Sequence, residues 1–391
     1  MYRNTRFGEL MKGLPRPMLE KAVHASQSDK HSKGFRTWDH LLAMIFAQLS
    51  GSRSLREVEA GFNSQPLAHF HLGSRPVKRS TLSDANHRRS SEVFCELCSQ
   101  LMGQVSRKLR SELKDLLYLM DSTPIPLEGR GYDWTADKHN HRTRGLKVHV
   151  VYAATPAVPV RADISYANVN DVEAGRQIPI ECGATYVFDK GYTDYNRWFE
   201  LNARGAVFVT RLKKNAGVRL QEVMEVSENA KAAGVLQDAR VQFKHRRPGG
   251  GRVNHYHGTA LRRVSVSRPD KESDLVLVTN DFDRSAEEIA DLYRRRWAIE
   301  LFFKWLKQNL KIKQFLGQSD NAVRIQIYVA LITHLLAYLY HTRCKATRSL
   351  KLWIVELRAG LFQRPETEQH LTRKRRRERQ KFEQLQGSLA L

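Results

Sequence analysis

LLYLMD (116–121) and ATYVFD (184–189) decide how this chain folds. Each is a short apolar run with no polar alternation, which predicts a strand covered on both faces, and each ends in a carboxylate. LKVHVVYA (146–153), VPVRADISYA (158–167), AVFVTRL (206–212) and LVLVTN (275–280) are further β-like runs around them. KGYTDYNRWFELNARG (190–205) reads as an intervening helix closed by Gly205. Strands alternating with helices predict an α/β sheet, and an open α/β sheet places its ligand site at the carboxyl ends of its strands. Asp121 and Asp189 stand there. If the two strands are neighbours, their carboxylates repel unless a proton or a cation lies between them.

The rest of the chain is organised around that sheet. With 391 residues it is too long for a single core, and 41% hydrophobic residues exclude a mainly disordered chain. Residues 1–110 are expected to form a helical region, with WDHLLAMIFAQL (38–49) as its most apolar helix and SLREVEAGF (54–62) and SSEVFCELCSQLMGQV (90–105) as others. Residues 111–211 hold the first strands. Residues 212–274 break the rhythm with ARVQFKH, RRPGGGR and HYHGTALRRVSVS, a basic β-rich insertion of hairpins around a Gly-rich turn. Residues 275–315 return to a strand and a long helix, in which Ser285 and Glu288 have capping-box spacing. Residues 316–391 are helical and end in the basic run RKRRRER (373–379).

Charge and cysteine usage narrow the function. Lys and Arg outnumber Asp and Glu by 65 to 41, a net charge of +24, which calls for an extended polyanion such as nucleic acid. Cys95 and Cys98 form a lone CxxC within a helical pattern; no second pair follows, so helix packing is expected and not zinc. The first residues carry no apolar run suited to a signal peptide. The apolar stretch from Ile325 to Tyr340 is under 18 residues and contains Gln326, Thr333 and His334, so a buried helix is expected. These features point to an intracellular, reducing setting.

AEEIADLYRRRWAIELFFKWLKQNL, starting at Ala286, sharpens the functional reading. At about 100° per residue, with Tyr293 at zero, Arg296 falls near about −60°, Glu300 near about −20° and Lys307 near about −40°. Leu292, Ile299, Phe303, Leu306 and Leu310 fall between roughly −80° and −140° and form a core-facing stripe, while Phe302 and Trp305 are apolar on another side. A narrow Tyr-Arg-Glu-Lys stripe beside so much apolar surface needs partners for its charges.

Tyr293-x2-Arg296-x3-Glu300-x6-Lys307 resembles the YREK signature of bacterial DDE transposases of the insertion-sequence-four family. FDKGY (188–192) resembles that family's segment around its second catalytic Asp, and MDST (120–123) the segment around the first. The order matches, as do the separations of 68 residues from Asp121 to Asp189 and 111 from Asp189 to Glu300. The resemblance covers about residues 116 to 310. It implies an α/β fold with an RNase H-like catalytic core interrupted by a β-rich insertion, flanked by helical N-terminal and C-terminal regions. It implies Asp121, Asp189 and Glu300 as catalytic residues and ligands of Mg²⁺, with Mn²⁺ as a substitute. Tyr293, Arg296 and Lys307 would contact phosphates near the scissile bond. Two hard cations held by carboxylates suit the chemistry of in-line displacement at phosphorus, because they stabilise attacking and leaving oxygens alike.

Further DNA contacts are expected from Lys190 and Tyr192 beside the second Asp. Arg88 and Arg89 in PVKRSTLSDANHRRS (76–90) are candidates in the helical region, and Lys244, Arg246 and Arg247 in the insertion. His139 and His141 lack acidic or Cys companions at ligand spacing and read as part of a basic DNA-facing loop. The partners implied are double-stranded DNA, as element ends and target, and a second copy of the chain for pairing two ends, in the bacterial cytoplasm at the nucleoid. One departure stands out. Relatives with the insertion use a Trp there to hold a flipped base during hairpin formation, but the six Trp here lie at 38, 134, 198, 297, 305 and 353. Tyr256 or Phe243 is left to stack in its place. The alternatives are a domesticated DNA-binding regulator without catalysis and a metal-dependent nuclease of the same fold; intact acids at all three positions speak against the first.

Overall fold

The computed structural model describes residues 5–135, 144–269, 273–309, 315–365 and 380. His139, His141 and the run 373–379 lie outside the described residues. The chain divides into two compact units, one of residues 1–85 with 336–391 and one of residues 86–335.

The first unit is helical. Its centre is the helix Thr37–Ser50, buried from Thr37 to Leu49 because its residues are apolar on almost every side. Gly51 closes it at φ 72°, a left-handed conformation that glycine adopts without a Cβ penalty. Ser54 caps the next helix, Leu55–Asn63, by accepting from the Glu57 N–H at 3.2 Å. Phe46 packs against Phe62 and Phe362, with ring centroids 5.6 and 5.8 Å away.

The second unit is built on one nine-stranded mixed sheet of order β3-β2-β1-β4-β5-β9-β8-β7-β6. The strands are β1 (Leu117–Pro126), β2 (Gly145–Ala153), β3 (Val158–Tyr166), β4 (Thr185–Phe188), β5 (Val207–Arg211), β6 (Val218–Met224), β7 (Val235–Phe243), β8 (Leu261–Val266) and β9 (Leu275–Thr279). β1 runs antiparallel to β2 and parallel to β4, and β4 runs parallel to β5. β4 is buried at all four positions, as a central parallel strand must be.

Helices run to Glu112, as expected, but the first compact unit ends earlier, at residue 85. The helix Glu92–Glu112 belongs to the second unit, where it packs on β3 through a buried stripe that includes Val93, Leu97, Leu101 and Val105. Its amphipathic pattern is legible in sequence, but the surface it covers lies more than fifty residues away. The C-terminal region is helical from Asp320, and from residue 336 the chain belongs to the first unit. The segment 212–274 is β-rich, as expected, and its strands extend the core sheet. β9 pairs antiparallel with β5, and β8, β7 and β6 continue outward from β9. The backbone edge that β9 leaves open is filled by the strands that precede it in sequence.

The helix Asp320–Arg343 is long and apolar enough to cross a membrane by length and composition, yet most of it is buried inside the protein. His334 on this helix is 4% exposed. Its ring meets Phe302 and Trp305 edge-on, at 5.2 and 4.9 Å, and neither ring nitrogen has a hydrogen-bond partner. Burial therefore pushes its pKa down to about 4. The unfolded chain takes up this proton near pH 6.5 and the folded one only near pH 4, so the contribution of His334 to stability is constant above pH 6.5 and falls as pH drops between those values. The loss totals about 3 kcal/mol by pH 4. His334→Phe is expected to flatten that part of the pH–stability curve, measured by urea unfolding at a series of pH values; an unchanged slope would remove His334 from the account.

Candidate active site

Strand register brings the first two acids together. Met120 pairs with Phe188, where β4 and the parallel pairing end; β1 does not stop at Asp121 as expected but runs on to Pro126, held there by its antiparallel partner β2. Asp121 and Asp189 follow those two residues, so they stand in step on neighbouring strands. Phe188 also pairs with Thr210 on β5, which sets Arg211 beside Asp189, its Nη1 3.5 Å from Asp189 Oδ1.

The third acid comes from the helices after β9. Ser285 and Glu288 form the expected capping box: Glu288 N–H donates to Ser285 Oγ at 3.3 Å and Ser285 N–H to Glu288 Oε2 at 2.7 Å. The helix is not continuous, however, and this corrects the sequence reading. It divides into Ala286–Arg295 and Trp297–Asn309 around Arg296, where the N–H groups of Arg296 and Ile299 each reach back three residues instead of four. That single tightened turn is a 3₁₀ irregularity. It falls at the residue that joins two acids. Arg296 Nη1 donates to Asp121 Oδ2 at 3.0 Å and Nη2 donates to Glu300 Oε1. The Tyr293 hydroxyl donates to Asp189 Oδ1 at 3.2 Å, and the Arg296 guanidinium lies 5.7 Å from the Tyr293 ring centroid.

Thus Asp121, Asp189, Glu300, Tyr293 and Arg296 meet in one place. Among the described residues no three His, Cys, Asp or Glu side chains are gathered tightly enough to hold a metal ion by themselves. Instead the Arg296 guanidinium joins Asp121 to Glu300, and Asp189 is held by Tyr293 and Arg211. The acids' chemistry still fits a hard divalent cation. Burial pushes the Asp121 carboxyl up to about 6, and the nearby Glu300 and Asp189 charges add to this against the Ser122 N–H and Arg296. A carboxylate disfavoured in that way is relieved by added positive charge. Lys307 is half-buried two turns beyond Glu300 on the helix Trp297–Asn309, whose Ile299, Phe303 and Leu306 are buried as expected. Trp297 and Leu301 are more than half exposed on the same helix. Leu310 lies outside the described residues.

A polar network next to the acids was not anticipated. Asp171 Oδ1 accepts from Ser122 Oγ at 2.9 Å and from Lys147 Nζ at 3.2 Å, and His149 Nδ1 lies 3.6 Å away. Lys147 and His149 oppose Pro124 and Ser122 across β1 and β2. A signal for it existed: LKVHVV places two polar residues on alternate positions of an otherwise apolar strand. Arg211 was likewise readable as the cation ending the β5 run.

Other expected DNA contacts separate into exposed and buried ones. Lys190, Arg88, Lys244, Arg246 and Arg247 are exposed. Arg89 is buried in the second unit, where its carbonyl accepts from Asn321 Nδ2 at 2.6 Å. Tyr192 is buried too, its hydroxyl 3.4 Å from His149 Nδ1, so it supports the site's walls and does not reach outward. Tyr256 is fully buried against Phe208 and Phe243, and Phe243 is itself packed on Tyr195 and Trp198. Neither ring is placed to stack on a base. Aromatic rings near a basic turn read alike whether they face solvent or a core, and here the core claimed them.

The site lies within a span that a family model matches. The family model described as "Transposase DDE domain" matches residues 112–336, and one described as "Domain of unknown function (DUF4372)" matches residues 2–75. The chain is 45% identical to "Putative transposase y4zB" of Sinorhizobium fredii (strain NBRC 101917 / NGR234), over 68% of this chain and 70% of that protein. It is 28% identical to "Probable transposase for insertion sequence element IS5377" of Geobacillus stearothermophilus, over 68% of this chain and 69% of that one. Among solved structures it is similar to a piggyBac transposase synaptic complex with hairpin DNA, at 10% identity and a TM-score of 0.48, covering 96% of this chain and 84% of that one. Matched by that family model over more than half of its length and 45% identical to such a relative, the chain belongs to the DDE transposase family.

Proposed function

We propose that this transposase is of the insertion-sequence-four type, that its sheet is an RNase H-like core, and that it acts on the inverted-repeat ends of its own element by hydrolysis and strand transfer. The observation that carries the reading is the in-step placement of Asp121 and Asp189 on parallel neighbours, with Glu300 joined to Asp121 through Arg296. The order β3-β2-β1-β4-β5, antiparallel for its first three strands and parallel for its last three, supports the core assignment.

Asp121, Asp189 and Glu300 would hold magnesium, with manganese as a substitute; when bound, such ions polarise a phosphodiester and activate water or a 3′-hydroxyl. Arg296, Arg211 and Lys307 supply fixed positive charge for the scissile phosphate and the charge that develops on it. Tyr293 holds Asp189 in orientation through its hydroxyl. The Lys147–Asp171–Ser122 network fixes the backbone next to Asp121 from the other side. The helical first unit and the exposed cations Lys190, Lys244, Arg246 and Arg247 bind the duplex, and two copies of the chain pair the two ends. Magnesium-dependent nicking of a labelled repeat-end duplex, followed by joining of its 3′ end to a plasmid, is the expected result. Nicking with no joined product at any time would favour the nuclease reading, and specific binding with neither would favour the regulator.

A further inference from the structure

Between β3 and β4 lies a six-residue helix, Asp171–Arg176, that packs on the turn Lys190–Tyr192 directly after Asp189. Helix and following segment meet at three successive points. A Cβ on Gly191 would stand 3.2 Å from Asp171 Oδ2, and one on Gly175 would stand 3.0 Å from Tyr192 Cδ1. Neither glycine has a positive φ, so what each position requires is room. Arg176 Nε donates to Asp194 Oδ2 at 2.6 Å and completes the seam.

The same aspartate reaches the first acid. Asp171 Oδ1 accepts from Ser122 Oγ at 2.9 Å, and the Ser122 N–H donates to Asp121 Oδ1 at 2.8 Å. Ser122 thus links two carboxylates, its hydroxyl held by Asp171 and its amide holding Asp121. Lys147 Nζ fixes Asp171 in turn, 3.2 Å from Oδ1, and is itself tethered to the Val169 carbonyl at 2.9 Å. Lys147 stands opposite Pro124, on the stretch of β1 that continues past Asp121.

Pairing between β1 and β4 ends at Met120 and Phe188, one residue before either acid. Backbone hydrogen bonds between these strands therefore do not tie Asp121 to Asp189. We infer that Asp171 does so as a positioning residue: it joins the residue after Asp121 to the turn after Asp189, and thereby sets the separation of the two acids and their affinity for a divalent cation. The inference rests on the proposed role of those acids as metal ligands, and Asp171 acts through Ser122 and Gly191 without being a ligand. Side chains that orient metal ligands typically contribute about 10–100-fold to affinity.

The test reads Mn²⁺ binding to the full-length protein without DNA, from the electron paramagnetic resonance signal of the free ion, with melting temperature measured alongside. K147M/D171A removes both charges together, so no lone cation is left, and is expected to weaken binding by about 10–100-fold. K147M/D171N keeps an oxygen for the Ser122 hydroxyl and should recover most of that loss. Gly191→Ala presses on Oδ2 and should weaken binding about threefold in the parent but not in K147M/D171A, the non-additivity expected of residues in contact. Val105→Ala, a buried truncation in the helix that covers β3, should lower the melting temperature and leave Mn²⁺ affinity alone.

Unchanged binding in K147M/D171A would overturn the inference, and so would an equal loss in Val105→Ala, since stability and not position would then set the affinity. No recovery with asparagine would make Asp171 a ligand, and an equal effect of Gly191→Ala in both backgrounds would deny the contact; either result overturns it too. Asp121→Asn separates this from the underlying reading. If that variant binds Mn²⁺ as the parent does, the acids are not the metal site and both ideas fall. If it loses the ion while the Asp171 variants keep it, only the present inference fails.

Discussion

Asp121→Asn is expected to abolish nicking of end DNA while raising the melting temperature of the protein in metal-free buffer at pH 7. The two effects share one cause. Burial and the neighbouring acids push the Asp121 carboxyl up to about 6, so its ionised form works against folding. From its ordinary value of 3.8 that shift corresponds to a penalty of up to about 3 kcal/mol at pH 7, which fades as pH falls from about 6 to 3.8. Asparagine keeps the shape and removes the charge, but offers a hard cation a far weaker ligand. Nicking should fall by roughly a thousandfold or more, the scale on which single electrostatic contributions to such sites act. Asp189→Asn and Glu300→Gln should be equally inactive. Binding to end DNA should persist in all three, because cations and not these acids hold the duplex. Substantial magnesium-dependent nicking by any one variant would remove that residue from the site, and a lowered melting temperature for Asp121→Asn would reverse the electrostatic account.

Asp238→Ala should be the most destabilising single change in the sheet. Asp238 on β7 and Arg262 on β8 are buried, and they meet through three hydrogen bonds: Arg262 Nε to Asp238 Oδ1 at 3.0 Å and Oδ2 at 3.2 Å, and Nη2 to Oδ2 at 2.7 Å. Arg262 Nη1 also donates to the carbonyls of Asp281 and Arg284, next to the cap of the helix Ala286–Arg295. Deleting the carboxylate leaves a buried guanidinium unneutralised, which costs about 3–5 kcal/mol. The pair itself adds little over apolar residues of similar volume, so Asp238→Leu/Arg262→Met should recover most of the loss. Denaturant unfolding of the two variants checks this; a single variant within 1 kcal/mol of the parent would mean that water reaches the guanidinium.

That pair also marks where sequence reading stops. An Asp on one run and an Arg twenty-four residues later gave no sign of meeting, because their pairing depends on the register of β7 against β8 and not on either strand's own pattern. The same holds for Arg296, which reaches Asp121 from 175 residues away, and for Asp171, whose role follows from the β1–β2 register. Tyr256 and Phe243 show the reverse case, aromatic rings near a basic turn that the core absorbed.

By itself the sequence determined the apolar strands that lead into Asp121 and Asp189, the Ser285–Glu288 cap, and the helical stripe from Tyr293 through Glu300, since period and capping depend only on near neighbours in the chain. Tertiary structure alone decided that β1 continues past Asp121 along β2, that Arg296 reaches Asp121 where the helix breaks, that Tyr293 and Arg211 hold Asp189, and that the helix Glu92–Glu112 covers β3. Each of these is a contact between distant segments. Its energy comes from burial and charge complementarity that exist only once the sheet and the helices have packed.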